Sequence, residues 1–97
     1  IVCDLSFISI TKALAPAMEL ARAGAVLITL IKPQFEAGRA ALGKGGVVRA
    51  EADRQAAIEL VRSFVCGACG WQEKGLICSP ITGADGNIEY LFYAIKP

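Results

Sequence analysis

The chain has 97 residues, of which 55% are hydrophobic and 20% charged, with a formal net charge of +1. That composition fits one small globular domain or part of a larger one, and it excludes a disordered segment. No stretch approaches the roughly 20 apolar residues of a membrane helix, bulk charge announces no nucleic-acid partner, and the lack of histidine removes Ser-His and Cys-His nucleophiles and nearly all catalytic zinc sites, so no metal is expected.

Ile1-Val2-Cys3 reads as strand from the first residue and ends on Asp4. Neither a Met nor a charged leader precedes it, so a signal peptide is not expected and a piece of a longer protein is. Leu5 to Ser9 form the turn that follows, and Ser9 or Thr11 can cap a helix by accepting a backbone N–H. The spacing predicts a helix to about Ala23, with Leu14, Ala17, Met18 and Ala21 on one face, Pro16 near its first turn and Gly24 as its stop. Ala25 to Ile31 has almost no polar break, the pattern of a parallel-sheet strand buried on both faces. It delivers Lys32 at its C-terminal end.

Lys32 to Ala50 is a long glycine-rich connection carrying Lys32, Arg39, Lys44 and Arg49 against Glu36 alone. Connections above about 12–15 residues are often functional, and Arg39 to Leu42 suits a short helical turn. Glu51 to about Cys69 reads as a second helix with an apolar stripe of Ala57, Leu60, Val61, Phe64, Val65 and Ala68, stopped by Gly70. Acids at its start and Arg62 towards its end suit the helix dipole. Cys66-Gly-Ala-Cys69 matches C-x-x-C, but it ends an amphipathic helix and has no second ligand pair, so small core residues are expected. With Cys3 and Cys78 they read as free thiols of a reducing cytoplasm. Trp71 to about Ser79 is a predicted strand, Ile81 to Asn87 a hairpin loop and Ile88 to Ile95 a final strand. The order β-α-β-α-β-β gives an α/β sheet, parallel strands first and an antiparallel hairpin last.

Ligands of open α/β sheets bind outside the carboxyl ends of the strands. Two such ends carry Asp4 and Lys32, and burial of either charge without a partner would be costly, so an Asp4–Lys32 pair is expected. If the last strand runs antiparallel beside them, Glu89 reaches the same rim. The competing reading is a structural ion-pair cluster. Phe7 and Phe35 each follow a strand end, where they either line a pocket or pack in the core. Arg39, Lys44 and Arg49 are candidates for RNA phosphates, or for a plain solvated loop.

The runs Cys3-Asp4-Leu5-Ser6-Phe7-Ile8-Ser9, Leu30-Ile31-Lys32-Pro33-Gln34-Phe35-Glu36-Ala37-Gly38-Arg39, Lys44-Gly45-Gly46-Val47-Val48-Arg49, Ser79-Pro80-Ile81-Thr82-Gly83 and Gly86-Asn87-Ile88-Glu89-Tyr90 together resemble the C-terminal portion of the TlyA, or hemolysin-A-type, branch of the FtsJ-like methyltransferases. The resemblance covers almost the whole chain. It implies that residues 1–97 are the C-terminal half of a Rossmann-like methyltransferase sheet. It also implies a cytoplasmic enzyme that uses S-adenosylmethionine to methylate a ribose 2′-hydroxyl of ribosomal RNA. The family's Lys-Asp-Lys-Glu tetrad carries over at Asp4, Lys32 and Glu89, and its first lysine has no counterpart here. The family's glycine-rich cofactor loop and its S4-type RNA-binding domain would lie ahead of Ile1, so the cofactor site is expected to be incomplete and the piece alone inactive. Asp4, Ser6 and Phe7 are the residues expected on the cofactor side.

The chemistry fits those residue types. A ribose hydroxyl is a weak acid, and a lysine takes its proton only when neutral, against a reference pKa of about 10.4. Desolvation and a second cation favour the neutral amine, whereas a carboxylate favours the charged form, which leaves orientation and charge balance to the acids. Lys32 is therefore the expected group at the substrate hydroxyl, held by Asp4 and Glu89. A non-catalytic RNA-binding or oligomerisation module is the alternative, and dimerisation or marginal stability is expected if leading strands are missing and an apolar edge is bare. Membrane damage of the hemolysin kind finds no support in a chain with neither a strongly cationic helix nor a long apolar segment.

Overall fold

The computed structural model describes residues 1–97. Four strands form one sheet: β1 (Val2–Cys3), β2 (Val26–Ile31), β3 (Gln72–Cys78) and β4 (Tyr90–Ile95), in the spatial order β1-β2-β4-β3. β1 runs parallel to β2, with Val2 opposite Ile28 and Cys3 opposite Thr29. β4 inserts antiparallel between β2 and β3, setting Ile31 opposite Tyr90 on one side and Cys78 opposite Tyr90 on the other. The expected mixture of parallel strands and a terminal antiparallel hairpin is present. Its register turns the ends of β1 and β2 and the start of β4 towards one rim.

The first predicted helix is two segments, α1 (Ile10–Ala13) and α2 (Ala15–Leu20). Pro16 is the cause, since it has no N–H to give to the preceding turn and it sits in the first turn of α2 rather than of one long helix. The helix also ends earlier than expected, with Ala21 already extended and Gly24 at φ +83° completing the reversal into β2. A stop of different origin closes α2. The Lys96 ammonium donates to the carbonyls of Met18 (3.1 Å), Glu19 (3.4 Å) and Ala21 (2.7 Å), and it stands 6.0 Å from the Trp71 ring centroid. A cation on orphan carbonyls at a helix C-terminus is worth up to about 2 kcal/mol in partly buried geometry. Lys96→Met, which keeps the stem and removes the charge, is expected to lower unfolding free energy by roughly 1–2 kcal/mol in urea titration. An unchanged midpoint would show that water caps these carbonyls equally well.

A short helix, α3 (Pro33–Glu36), follows β2. The second long predicted helix, α4 (Glu51–Arg62), continues through a wider π-type turn over Ser63–Ala68, where the Cys69 N–H bonds the Phe64 carbonyl at 3.0 Å and the Trp71 N–H bonds that of Val65 at 3.0 Å. Its buried face is Ala57, Ile58, Val61 and Val65, while Leu60 is exposed and Ala68 faces solvent. Of the stripe read from the sequence, Ala57, Val61, Val65 and the partly buried Phe64 do face the core, joined by Ile58, whereas Leu60 and Ala68 do not. Arg62 reaches across to Glu73 at the start of β3 (2.6 Å) and also pairs with Glu59, fixing the helix exit. Cys66 and Cys69 pack against the core as free thiols. Burial pushes both thiols above their usual range, which disfavours the reactive thiolate.

All helices lie on one face of the sheet. Ile10, Leu14, Met18, Leu27, Ile31, Ile58, Val61, Val65, Trp71, Phe92 and Ala94 form a single core between them and the strands. Burial of β2 on both faces, as expected from its unbroken apolar run, is not observed. Leu27, Thr29 and Ile31 are fully enclosed, but Val26 and Ile28 on the other face are 39% and 43% exposed. Both crossovers in these 97 residues use the same side, so nothing in them covers the second.

Candidate functional site

The rim defined by the register carries the ionisable groups. β2 ends on Lys32, whose extended backbone leads straight into α3, with Pro33 at its first position. Proline is pre-set for a first helical turn, so the chain turns sharply and leaves the lysine side chain at the strand end. Its ammonium lies 2.5 Å from the Asp4 carboxylate and 3.3 Å from the Ser6 hydroxyl. The lysine side chain is 12% exposed and that of Asp4 is 68% exposed, so the pair is open to solvent on the acid's side.

Glu89 stands at the same rim, just ahead of β4, but it does not pair with Lys32. It is buried, and its carboxylate accepts from the Gln34 amide at 2.8 Å. Gly83 lies against it so closely that a β-carbon there would overlap Glu89 Oε2. The arrangement expected from the sequence, with both acids holding the lysine, is therefore replaced by two linked units, Asp4–Lys32–Ser6 and Glu89–Gln34. They are joined through the two-residue step from Lys32 to Gln34.

Glu36, the last residue of α3, turns away from the rim. It accepts from the Ser9 hydroxyl (2.5 Å) and from the Ile10 N–H (2.8 Å), and so caps α1 beside its local cap Ser9. Burial raises its pKa, against the opposing pull of those two hydrogen bonds. α3 is thereby tied to the turn after β1, which brings Phe35 against Phe7 with ring centroids 5.0 Å apart and planes at 53°.

These rings open into a groove of about 740 Å³, also lined by Lys12, Gln34 and Arg39. Phe7 is 90% exposed and holds φ +66°, a left-handed conformation that is unusual for a bulky side chain and accumulates at functional sites. Of the three residues expected on the cofactor side, Asp4 and Ser6 stay with Lys32, while Phe7 faces this groove. Arg39 lies in the groove wall. Lys44 and Arg49 are exposed on the adjoining glycine arm, where the Arg49 guanidinium donates to the Lys44 carbonyl at 3.2 Å. Lys12 and Gln34 were not singled out in the sequence. A helix-surface lysine carries no local signal, but Gln34 stands two residues from Lys32 in the most distinctive run of the chain.

Acid and lysine thus stand at adjacent strand ends of a mixed sheet, the place where open α/β sheets bind ligands, beside a groove whose charged lining is Lys12, Arg39 and Asp85. The family model for FtsJ-like methyltransferases matches residues 1–96, and the chain belongs to that family. Membership implies S-adenosylmethionine as methyl donor. Hemolysin A of Brachyspira hyodysenteriae is 43% identical over 95 residues, covering 98% of this chain and 39% of that protein. The 16S/23S rRNA (cytidine-2′-O)-methyltransferase TlyA of Mycobacterium tuberculosis is 37% identical over 93 residues, covering 96% and 34%. The crystal structure of a hemolysin-type protein from Lactococcus lactis superposes with a TM-score of 0.92 at 40% identity, over 99% of this chain and 45% of the other. The chain thus spans little more than a third of the length of these curated relatives. No helix is long and apolar enough to cross a membrane.

Proposed function

We propose that the full-length protein carrying these residues transfers a methyl group from S-adenosylmethionine to a ribose 2′-hydroxyl of ribosomal RNA, and that residues 1–97 are the C-terminal portion of its catalytic domain. The observation that carries this reading is the lysine held at the end of β2 by Asp4, beside an open groove lined by Lys12 and Arg39 as well as Asp85. Relatives named as rRNA 2′-O-methyltransferases support the same chemistry. The reading brings ribosomal RNA as partner and a cytoplasmic location with it.

S-adenosylmethionine, when bound, supplies an electrophilic methyl carbon next to a positive sulfonium. The donor set on this chain that suits such a cationic ligand is the exposed Asp4 carboxylate with the Ser6 hydroxyl beside it. Lys32 takes the proton of the 2′-hydroxyl as its oxygen attacks. Asp4 orients the lysine, and Glu89, locked by Gln34, sets the backbone from which it projects. Phe7, 90% exposed, and the half-buried Phe35 line the groove, and with so few aromatics the chain offers no extended stacking platform for bases. Arg39, Lys44 and Arg49 meet phosphates.

Methyl-tritiated S-adenosylmethionine offered with unmodified ribosomal RNA tests the assignment. Label is expected at a nucleotide resistant to alkaline hydrolysis, because a methylated 2′-oxygen cannot attack the adjacent phosphate. Label confined to alkali-sensitive nucleotides would mean base methylation and would overturn it. Reversing Arg39, Lys44 and Arg49 to glutamate is expected to flatten the dependence of log affinity on log salt by about 0.7–0.9 for each phosphate no longer neutralised. An unaltered slope would return the three to an ordinary solvated loop.

A further inference from the structure

We propose that Asn87 is a positioning residue for RNA, one that presents Lys44 and Arg49 by fastening the glycine arm to the hairpin loop. The proposal rests on the reading of that arm as a phosphate-binding element. Asn87 is 3% exposed, touches neither Lys32 nor the core, and stands in the wall of the groove beside Gly46 and Ala84. Its amide reaches three backbone groups on two segments. Oδ1 accepts from the Val48 N–H at 3.0 Å, and Nδ2 donates to the Gly46 carbonyl at 3.1 Å and to the Ala84 carbonyl at 3.2 Å. Three of the four hydrogen bonds an asparagine amide can make are therefore spent on backbone.

The arm needs such a fastening. Gly45 and Gly46 hold φ +77° and +76°, conformations open to glycine at no steric cost but with the largest loss of backbone freedom. Within the arm itself the closing bonds are few: Gly43 N–H to the Val47 carbonyl at 2.8 Å, and Gly46 N–H to the Gly43 carbonyl at 3.1 Å. Arg54 holds the arm's far end from α4, donating to the Arg49 carbonyl at 2.8 Å. Asn87 grips the residues just before that end, Gly46 and Val48. Lys44 and Arg49 then stand on a framed loop rather than a free one, and the ordering cost is met at folding instead of at RNA binding. The same loop delivers Glu89 two residues later to Gln34. Asn87 and Glu89 thus tie the two ends of the Lys32-to-Ala50 connection to one short segment.

The test is a cycle of variants in the full-length protein with unmodified ribosomal RNA as probe: Lys44→Ala with Arg49→Ala, Asn87→Ala, and all three together. Asn87→Ala is expected to raise KM for RNA about tenfold, the cost of ordering two long cationic side chains and their loop on binding, with a smaller fall in kcat. It is also expected to flatten the salt dependence and to speed amide hydrogen exchange at residues 44–49. The triple variant should bind no more weakly than the Lys44/Arg49 variant, because the arm's contribution can disappear only once. Additive losses, or an unchanged KM and salt slope in Asn87→Ala beside a responsive Lys44/Arg49 variant, overturn the Asn87 proposal alone. A flat response in the Lys44/Arg49 variant overturns the reading of the arm and the proposal with it. If Asn87→Ala does not fold, Asn87→Asp, which keeps the acceptor for Val48 and loses both donors, carries the same readouts.

Discussion

Lys32→Ala in the full-length protein is expected to lower methyl transfer to RNA by about 10²–10⁴-fold, the range over which a positioned base contributes. Folding and S-adenosylmethionine binding are expected to survive. The lysine's ion pair is with a carboxylate 68% exposed to water, and pairs of that kind contribute little to stability. Lys32→Arg sharpens the result. Arginine keeps a cation beside Asp4 but cannot give up its proton in a protein. If Lys32 only supplied positive charge, the arginine variant would retain most activity. If it takes the proton, both variants are inactive and both still bind the cofactor. Near-normal turnover of Lys32→Arg in single-turnover assays would remove Lys32 from the role of base.

The second large effect is on stability, at Glu36. Removal of its carboxylate in Glu36→Ala strands the buried Ile10 N–H and costs the part-buried Ser9 hydroxyl its charged acceptor, leaving it the Thr11 hydroxyl. Hydrogen bonds to a charged group are worth about 1.5–3 kcal/mol, and stranding a buried donor adds to the loss. An expected loss of about 3 kcal/mol is a large share of a small domain's stability. Glu36→Gln keeps an acceptor for Ile10 and a polar group for Ser9, so it should stay within about 1 kcal/mol of the parent. The pair also separates in pH. The folded-state pKa of Glu36 is raised, burial being the main cause, so the folded protein holds this proton more tightly than the unfolded chain. Stability from this group is present below the ordinary carboxylate value and is lost as pH rises through the raised folded value. Glu36→Gln should therefore gain on the parent across that window. Parallel stability–pH curves for the two proteins would contradict the burial cost assigned to the ionised form.

Much of this could be read from residues in order. The strand ends with Asp4 and Lys32, the hairpin returning at Glu89 and the glycine arm all follow from local pattern, because apolar runs, proline and glycine act on their own neighbours. What escaped reading was nonlocal. Glu36 looked like the lone acid of a basic connection, but its partners lie at the start of α1. Lys96 carried no signal in the sequence, yet it closes a helix far earlier in the chain. The apolar run of β2 predicted two covered faces, and hydropathy cannot count the helices available to cover them. Glu89 reached the expected rim, but its choice of Gln34 over Lys32 depends on the space left by Gly83 and on the turn at Pro33, neither of which sequence spacing measures.

The placement of β4 between β2 and β3 sets an order of assembly. β2 gains its second neighbour, and Phe92 and Ala94 reach the core, only after the hairpin has doubled back over a long intervening segment. Such distant pairings form slowly, since loop closure must precede any energetic return from the pairing. During synthesis the earlier strands and helices would wait, half-sheeted, until Tyr90 to Ile95 cleared the ribosome. A truncation of only those six residues would therefore remove the middle of the sheet, whereas the loss of as many from β3 would remove an edge.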